Sequence, residues 1–293
     1  MTSSDSQISP MLEALNTPWF ARALTTSVSN ALAEDVRDGD ITAALVPAHE
    51  RVRARVITRE NGIFCGRPWV EETCRQLDPE LTLSWEVSDG DAVVADQVLY
   101  FLEGPARSLL TAERTALNFV QLLSGTATLA RRYADLIAHT RARVLDTRKT
   151  VPGLRLAQKY AVLAGGADNH RIGLFDAYLI KENHIEAAGS IAQAVSAAKT
   201  LKPLAPVEIE VESLAELKAA MDAGADRVML DDFSLEQTRE GVALAAGRVE
   251  IEASGGVNFE TIVAIAETGV DYISIGDITK RVVPLDLSMR VIA

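Results

Sequence analysis

The second half of the chain contains six short strand-like segments, each followed by an Ala/Leu-rich stretch, and this series is what most constrains the fold. From Arg143 onward the segments are VLDTRK, AYLIKEN, VEIEVES, RVMLDDF, VEIEASGG and YISIGD. Strands and helices alternating in this way predict a parallel sheet with right-handed crossovers. Because the series runs almost to the C-terminus, a TIM-like α/β barrel, complete or incomplete, fits better than an open doubly wound sheet.

The first half predicts a smaller α+β sandwich domain. Residues 11–35 have helical character, and the alternation of RVRARVIT at 51–58 is typical of a half-buried strand. Residues 81–87 and 97–102 are also predicted strands, with turn residues at 89–91 between them.

A long helix is predicted over 107–125, ending at Ser124-Gly125. Its apolar positions share one side, and Arg114 points about 140° away from them at 100° per residue. We place the domain boundary at this glycine. Residues 1–124 then form the N-terminal domain, a lid or dimer partner, and residues 125–293 form the catalytic barrel.

Composition narrows the classes of partner. Twenty-nine Lys and Arg against 41 Asp and Glu give a net charge of −12, which disfavours nucleic acid and anionic membranes. The two cysteines, Cys65 and Cys74, are too few for a zinc cage or a disulfide framework. Without a long apolar run or a basic signal-peptide start, the sequence predicts a cytoplasmic protein.

Positive charge is nevertheless concentrated locally. Lysine is absent before Lys149, yet residues 141–181 hold eight Lys and Arg against three Asp. Arg offers a planar fork for carboxylate or phosphate and Lys a point charge, so this mixture predicts a pocket for a ligand with several anionic groups. We expect Arg155 and Lys159, four residues apart, only to solvate their helix.

The predicted strand exits carry the candidate site residues, because active sites of such barrels form at the carboxyl ends of the strands. These exits are Arg148-Lys149, Lys181, Glu210, Asp231, Ser254-Gly255-Gly256 and Gly276-Asp277. His170, the histidine flanked by cations and glycines, is a candidate for ligand contact.

Glu210 and Asp231 are the acidic members of this set. Glu208 lies on the same side of its strand as Glu210, but only Glu210 should face the mouth of the barrel. The two carboxylates at the mouth could hold Mg²⁺ or stabilise a developing positive charge; a salt bridge across the barrel top is the alternative.

The glycines near the end of the series predict a phosphate site. Ser254–Gly256 follow a strand, and a helix is expected to begin near Asn258, so backbone N–H groups would face an anion. Gly276 follows the next strand, and the last two loops of such barrels commonly bind phosphate.

Long stretches of the chain resemble one family. LLTAERTALNFVQLLSGTAT, LDTRKTVPGLRLAQKYAV, GGADNHRIGLFDAYLIKENHI, EIEVES, VMLDDF, EASGGV, ETGVDYISIG and LDLSMR look like bacterial quinolinate phosphoribosyltransferases, the carboxylating nicotinate-nucleotide pyrophosphorylases. The resemblance covers nearly the whole chain and is densest from about residue 108 to 280.

The resemblance implies an enzyme of NAD biosynthesis that joins quinolinate to phosphoribosyl pyrophosphate with Mg²⁺, releasing pyrophosphate and CO₂. It implies a homodimer in which Arg114 enters the neighbouring subunit's site. The implied quinolinate and pyrophosphate pocket is Thr147, Arg148, Lys149, His170, Arg171 and Lys181. Glu210 and Asp231 match ribose and metal-side acids that act in catalysis with Lys149, and Ser254–Gly256 and Ile275–Asp277 match 5′-phosphate segments.

Two positions depart from the family pattern, and three alternatives remain. Asp232 stands where Asn is usual and Asp277 where a small residue is common, so Asp277 is expected to point outward. A relative of the molybdenum-transport-associated type would use another substrate on this fold. A Schiff base at Lys149 or Lys181 would give aldolase-type chemistry. A lipoyl-type carrier role for residues 85–104 is disfavoured because no lysine precedes Lys149.

Overall fold

The computed structural model describes residues 17–292. The chain divides into two compact units. The first comprises the residues up to Arg131, Thr150–Gly166, and the residues from Ile278 onward. The second comprises Arg132–Lys149 and Ala167–Asp277. The predicted division at residues 124 and 125 stays a prediction.

The secondary-structure elements follow one another in the order that the sequence predicts. The strands are β1 Arg51–Thr58, β2 Gly62–Ile63, β3 Thr82–Trp85, β4 Ala92–Val93, β5 Val98–Pro105, β6 Arg143–Leu145, β7 Tyr178–Ile180, β8 Val207–Val211, β9 Arg227–Asp231, β10 Glu250–Ser254, β11 Tyr272–Ser274 and β12 Leu287–Ile292. The helices are α1 Pro18–Asp35, α2 Arg67–Leu77, α3 Ala106–Leu136, α4 Arg155–Ala164, α5 Glu182–Ala188, α6 Ile191–Leu201, α7 Leu214–Ala223, α8 Leu235–Ala245, α9 Ile262–Ala266 and α10 Asp277–Lys280.

The second unit is built on a parallel sheet, which confirms the predicted fold class. Its strand order is β6-β11-β10-β9-β8-β7, and these are the six segments predicted from the sequence. A single parallel bridge joins Leu145 to Asp168 beside β6. In the described part of the chain no ladder joins β7 back to that edge, so the barrel is incomplete.

Serine caps fix where three of the barrel helices begin. The side chains of Ser190, Ser213 and Ser234 accept the backbone N–H groups of Gln193, Glu216 and Gln237 at the starts of α6, α7 and α8. Each of these serines is followed three residues later by Gln or Glu, a pattern typical of a helix start, and each helix returns the chain to the amino end of the sheet.

The first unit contains an antiparallel sheet of order β12-β1-β5-β3. The predicted apolar stripe of α3 is buried, and its members Leu109, Ala116 and Val120 belong to the same core as Val56 and Leu102 of the sheet. This is the expected α+β domain. Cys65 and Cys74 are both buried and unpaired.

Two predictions about local structure in this unit are wrong. Helix α3 does not end at Gly125 but continues to Leu136. The Val283 carbonyl packs against the helix at Gly125, and a β-carbon there would lie 2.2 Å from that oxygen. A glycine is therefore needed at this point inside the helix. Lys159 does not solvate its helix, because it is only 2% exposed.

Residues 11–16 of the predicted first helix lie outside the described residues; from Pro18 the helix is present as α1. Among the helices of residues 17–292, none is long and apolar enough to cross a membrane.

Candidate active site

A cavity of about 370 Å³ lies within the second unit. Most of its lining follows the carboxyl ends of the parallel strands, as expected for a barrel. It brings together nine predicted residues: Thr147, Arg148, Lys149, His170, Arg171, Lys181, Glu210, Asp231 and Ser254. Leu179, Met229 and Ser274 complete the lining.

Four basic side chains line this cavity: those of Arg148, Lys149, Arg171 and Lys181. Burial lowers the pKa of Arg171, and the nearby charge of Arg148 lowers it further. Lys181 Nζ forms an ion pair with Glu210 Oε2. Lys149 follows Thr147, whose hydroxyl accepts the Lys149 backbone N–H at 3.1 Å. Converging like charges of this kind favour an anionic ligand, which would relieve their mutual repulsion.

The acidic side of the cavity is formed by Glu210 and Asp231, at the ends of β8 and β9. Burial raises the pKa of Asp231, and the neighbouring carboxylates of Glu210 and Asp232 raise it further. Lys181 and Lys149 act in the opposite direction on that pKa. Glu210 lines the cavity and Glu208 does not, as predicted because Glu210 lies nearer the exit of the strand.

His170 lies at the cavity with 8% of its surface exposed, and its ring nitrogens face protein atoms. Nδ1 accepts the Arg171 backbone N–H at 2.7 Å. Nε2 lies 2.9 Å from Glu208 Oε2 and 3.5 Å from Glu252 Oε2. Burial raises the pKa of both glutamates. The charge of Glu208 raises the pKa of Glu252 further, whereas the charge of Arg227 acts in the opposite direction on the pKa of Glu208.

The loop that carries His170 is tied to the end of β6 by Asp146, which is completely buried. The Asp146 carboxylate accepts the His170 backbone N–H at 2.9 Å and the Asn169 side-chain amide at 2.7 Å. One buried carboxylate therefore joins the segment that leads into Thr147–Lys149 to the segment that carries Arg171.

The glycines after β10 and β11 allow neighbouring side chains to lie close to the backbone. Gly255 has a φ of +97°, and a β-carbon there would collide with the Asp232 carboxylate. A β-carbon on Gly276 would lie 2.9 Å from Lys149 Cδ. Ile275 is buried, and Asp277, half-buried, is the first residue of α10.

The predicted helix beginning near Asn258 is wrong. Asn258 Oδ1 instead accepts the backbone N–H groups of Glu260 and Thr261 in a turn, and α9 begins only at Ile262. The turn at Ser254–Gly256 is therefore separated from α9, which has only five residues. The candidate hydrogen-bond donors to a phosphate are the backbone amides of the turn itself, not the start of a helix.

Arg114 lies in the first unit, exposed on α3 as predicted. It lines a separate cavity of about 430 Å³ together with Glu34 and Asp35 of α1.

Sequence reasoning missed Asp146 and Glu252. The signal for Glu252 was present: VEIEV and VEIEA each carry a glutamate two residues before the last strand position that reaches the mouth. Alternate strands of a barrel place inward-pointing residues in shared layers, but which residues share a layer depends on the register of the sheet.

Comparisons with known proteins agree over almost the full chain. The family models for the C-terminal and N-terminal domains of quinolinate phosphoribosyl transferase match residues 126–290 and 40–124. A nicotinate-nucleotide pyrophosphorylase structure from Francisella tularensis is 50% identical with a TM-score of 0.89, and the match covers 92% of this chain and 96% of that one.

Two further relatives show the same pattern. The probable carboxylating nicotinate-nucleotide pyrophosphorylase of Bacillus subtilis is 39% identical over 259 residues, covering 88% of this chain and 90% of the relative. The decarboxylating quinolinate phosphoribosyltransferase 1 of Nicotiana glauca is 41% identical over 282 residues, covering 89% of this chain and 80% of the relative.

Proposed function

Because the chain belongs to the quinolinate phosphoribosyltransferase family, we propose that it converts quinolinate and phosphoribosyl pyrophosphate into nicotinate mononucleotide, pyrophosphate and CO₂. The protein is then a pentosyltransferase of NAD biosynthesis. The observation that carries this proposal is the meeting of Arg148, Lys149, Arg171 and Lys181 with Glu210 and Asp231 around one cavity.

The cations suit a pyridine with two adjacent carboxylates. Arg148 and Arg171 can each present two parallel N–H groups to a carboxylate, and Lys149 and Lys181 add mobile point charges. At an effective dielectric near 20, one unit-charge pair at ~4 Å contributes about 4 kcal/mol before desolvation costs. A monocarboxylate such as nicotinate would leave part of this positive charge unneutralised.

Transfer itself needs no nucleophilic side chain. The ring nitrogen of quinolinate attacks C1 of the sugar, the C1–O bond to pyrophosphate breaks, and the leaving group takes the electron pair. Holding nitrogen and C1 together makes the step effectively intramolecular. Positive charge that grows on the sugar is stabilised by the carboxylates of Glu210 and Asp231.

Decarboxylation follows from the charge on the product ring. Once the nitrogen is glycosylated, the pyridinium stabilises the electron pair left at C2 when the C2 carboxylate departs as CO₂. A proton from solvent then replaces the carboxylate at C2. The 3-carboxylate remains bound to the cations throughout.

Glu210 and Asp231 would also hold Mg²⁺. Their fit rests on the raised pKa of Asp231, since crowded carboxylates are relieved by a cation as well as by a proton. When bound, Mg²⁺ supplies positive charge for the pyrophosphate group. The Ser254–Gly256 turn and Ile275–Asp277 are proposed to receive the 5′-phosphate, where the absence of β-carbons on the glycines admits its oxygens.

The working enzyme is proposed to be a cytoplasmic homodimer. Arg114 is exposed and turned away from the buried stripe of its own helix, which makes it available to a neighbouring subunit. We propose that it adds a fifth cation to that subunit's cavity.

The direct test is to incubate the purified protein with quinolinate, phosphoribosyl pyrophosphate and Mg²⁺ and to measure CO₂ and nicotinate mononucleotide. The proposal expects both products in equal amounts, dependent on all three components. Borohydride trapping with substrate should give no adduct, since neither Lys149 nor Lys181 is proposed as a nucleophile. Absence of turnover by folded, dimeric protein would refute the proposal.

A further inference from the structure

A layer of buried carboxylates lies beside the cavity and has no part in the proposed chemistry. Asp146, Glu208 and Glu252 are 0%, 5% and 0% exposed. Buried carboxylates are costly unless they are tied to donors or cations. Their placement next to a set of converging cations therefore calls for an explanation.

The ring of His170 connects this layer to the cavity. Because Nδ1 accepts the Arg171 backbone N–H, the ring proton of a neutral His170 resides on Nε2, which faces Glu208 Oε2 at 2.9 Å. With one nitrogen directed to the backbone and the other to Glu208, the ring acts between protein groups. His170 also lines the cavity, and the direct ligand contact predicted from the sequence stays a prediction.

Arg227 of β9 lies beside Glu208 in the sheet register, and its charge acts on both buried glutamates. Arg227, largely buried, lies 3.5 Å through Nη1 from Glu252 Oε2, and its charge also acts on Glu208. Arg227 in turn is fixed by two hydrogen bonds to Glu250 and by stacking on the Tyr272 ring. The carboxylate that meets His170 thus belongs to a rigid part of the sheet.

The charge of Glu208 also affects the arginines that line the cavity. Arg148 and Arg171 repel each other, and Glu208 is among the groups whose charge favours the charged form of Arg171. A fixed carboxylate behind the arginines offsets that repulsion before any substrate arrives. Preorganisation of this kind lowers the free energy needed to assemble the site on binding.

We propose that Glu208 is a positioning residue for the dicarboxylate pocket: through His170 it fixes the backbone of Arg171, so that the guanidinium stands ready for a substrate carboxylate. The inference rests on the proposed function. It assigns Glu208 to quinolinate binding and not to the sugar or phosphate side of the reaction.

The test compares Glu208→Met with Glu208→Gln, using Glu240→Met on the exposed face of α8 as the matched control. Glutamine keeps an oxygen that can accept the His170 Nε2–H group, whereas methionine keeps the volume without an acceptor. Losing the carboxylate that lies 2.9 Å from the buried His170 Nε2 corresponds to roughly a tenfold effect. We expect Glu208→Met to raise KM for quinolinate about tenfold or more.

Three further results are expected. KM for phosphoribosyl pyrophosphate stays near the wild-type value in all three variants, and Glu208→Gln restores most of the affinity for quinolinate. Nitrogen-15 NMR of the imidazole side chains shows His170 in the wild-type protein with its proton on Nε2. The same tautomer persists in both Glu208 variants, because Nδ1 still accepts the Arg171 backbone N–H, but the Nε2 signal shifts in Glu208→Met, where the ring proton no longer faces a carboxylate.

Several outcomes would overturn the inference. One is an unchanged KM for quinolinate in folded Glu208→Met, and another is an equal rise in KM for both substrates. A wild-type His170 carrying its proton on Nδ1 would overturn it even if the methionine variant failed to fold. If wild-type protein does not turn over quinolinate at all, the proposed function fails instead, and the NMR result still decides the role of Glu208.

Discussion

Arg171 is the residue whose removal should weaken quinolinate turnover most clearly. It lines the cavity, and its guanidinium reaches the Ala177 carbonyl at 3.4 Å. Burial and the charge of Arg148 both lower its pKa, so its charge is held at a cost that the folded protein bears before substrate binds. Replacing Arg171 by Ala removes one partner of a substrate carboxylate and one source of repulsion at the same time.

The expected magnitude follows from these two opposing effects. An ion pair at ~4 Å contributes about 4 kcal/mol at an effective dielectric near 20. Relief of the repulsion with Arg148, together with water entering the vacated space, offsets roughly a third of this, leaving about 2.7 kcal/mol. Since 1.36 kcal/mol corresponds to a factor of ten, kcat/KM for quinolinate should fall about hundredfold.

The assay is steady-state CO₂ release at saturating phosphoribosyl pyrophosphate, with quinolinate varied. Arg171→Lys keeps the charge without the planar fork and should fall between wild type and Arg171→Ala. Arg239→Ala, on the exposed surface of α8, is the control and should retain wild-type turnover. A loss of less than about threefold in Arg171→Ala would refute the assignment of Arg171 to the dicarboxylate pocket.

Three other predictions test separate parts of the account. Mixing inactive Arg114→Ala with inactive Lys149→Ala subunits should restore activity, because each mixed dimer rebuilds one intact site; no recovery after subunit exchange, followed by mass spectrometry, would contradict a shared site. Tyr160→Phe should lower the free energy of unfolding by about 1–3 kcal/mol, since the Tyr160 hydroxyl donates to half-buried Asp89 at 2.6 Å. Burial raises the pKa of Asp89, so its ionisation costs stability as pH rises through that pKa, and the penalty in urea titrations should be larger at neutral than at acidic pH. A penalty that is equal at both would contradict this assignment. Asp232→Asn removes a charge that raises the pKa of Asp231 and replaces a residue at φ +54°, so it should lower KM for phosphoribosyl pyrophosphate without loss of stability in thermal unfolding; a raised KM would instead make Asp232 a metal-side acid.

The six parallel strands of the barrel domain could be predicted because their signals are local and repeated. Each buried parallel strand is a short aliphatic run, and each polar residue at its end lies at the same edge of the sheet. This is why residues as distant in sequence as Arg148 and Asp231 could be expected in one cavity. The helix starts at the serine caps are local for the same reason, since each cap involves residues only three positions apart.

Errors arose where a long-range contact decided the outcome. A glycine after a serine is a common helix end, but Gly125 stands in mid-helix because the Val283 backbone, far away in sequence, approaches it. Lys159 follows the charged-face pattern of a helix yet is buried within its unit. The expected helix near Asn258 failed because the asparagine side chain bonds the next amides in a turn.

The part of the site beneath the cavity was hidden for a different reason. Alternation shows which side of a strand Glu208 occupies, but not that Glu252, two strands away beyond β9, also lies close to His170. Their placement depends on the registers of both strands on β9, in which Glu208 lies beside Arg227 and Glu252 beside Met229. Sequence alone therefore indicates the ligand-facing residues better than the residues that hold them in place.

The most direct test of the central claim is a competition in which equal concentrations of quinolinate and nicotinate are supplied with phosphoribosyl pyrophosphate and Mg²⁺. Total nicotinate mononucleotide and released CO₂ are measured in the same reaction. A pocket whose cations bind two carboxylates predicts one CO₂ for every mononucleotide formed. Mononucleotide in clear excess over CO₂ would show that nicotinate is used as readily, and would contradict the claim.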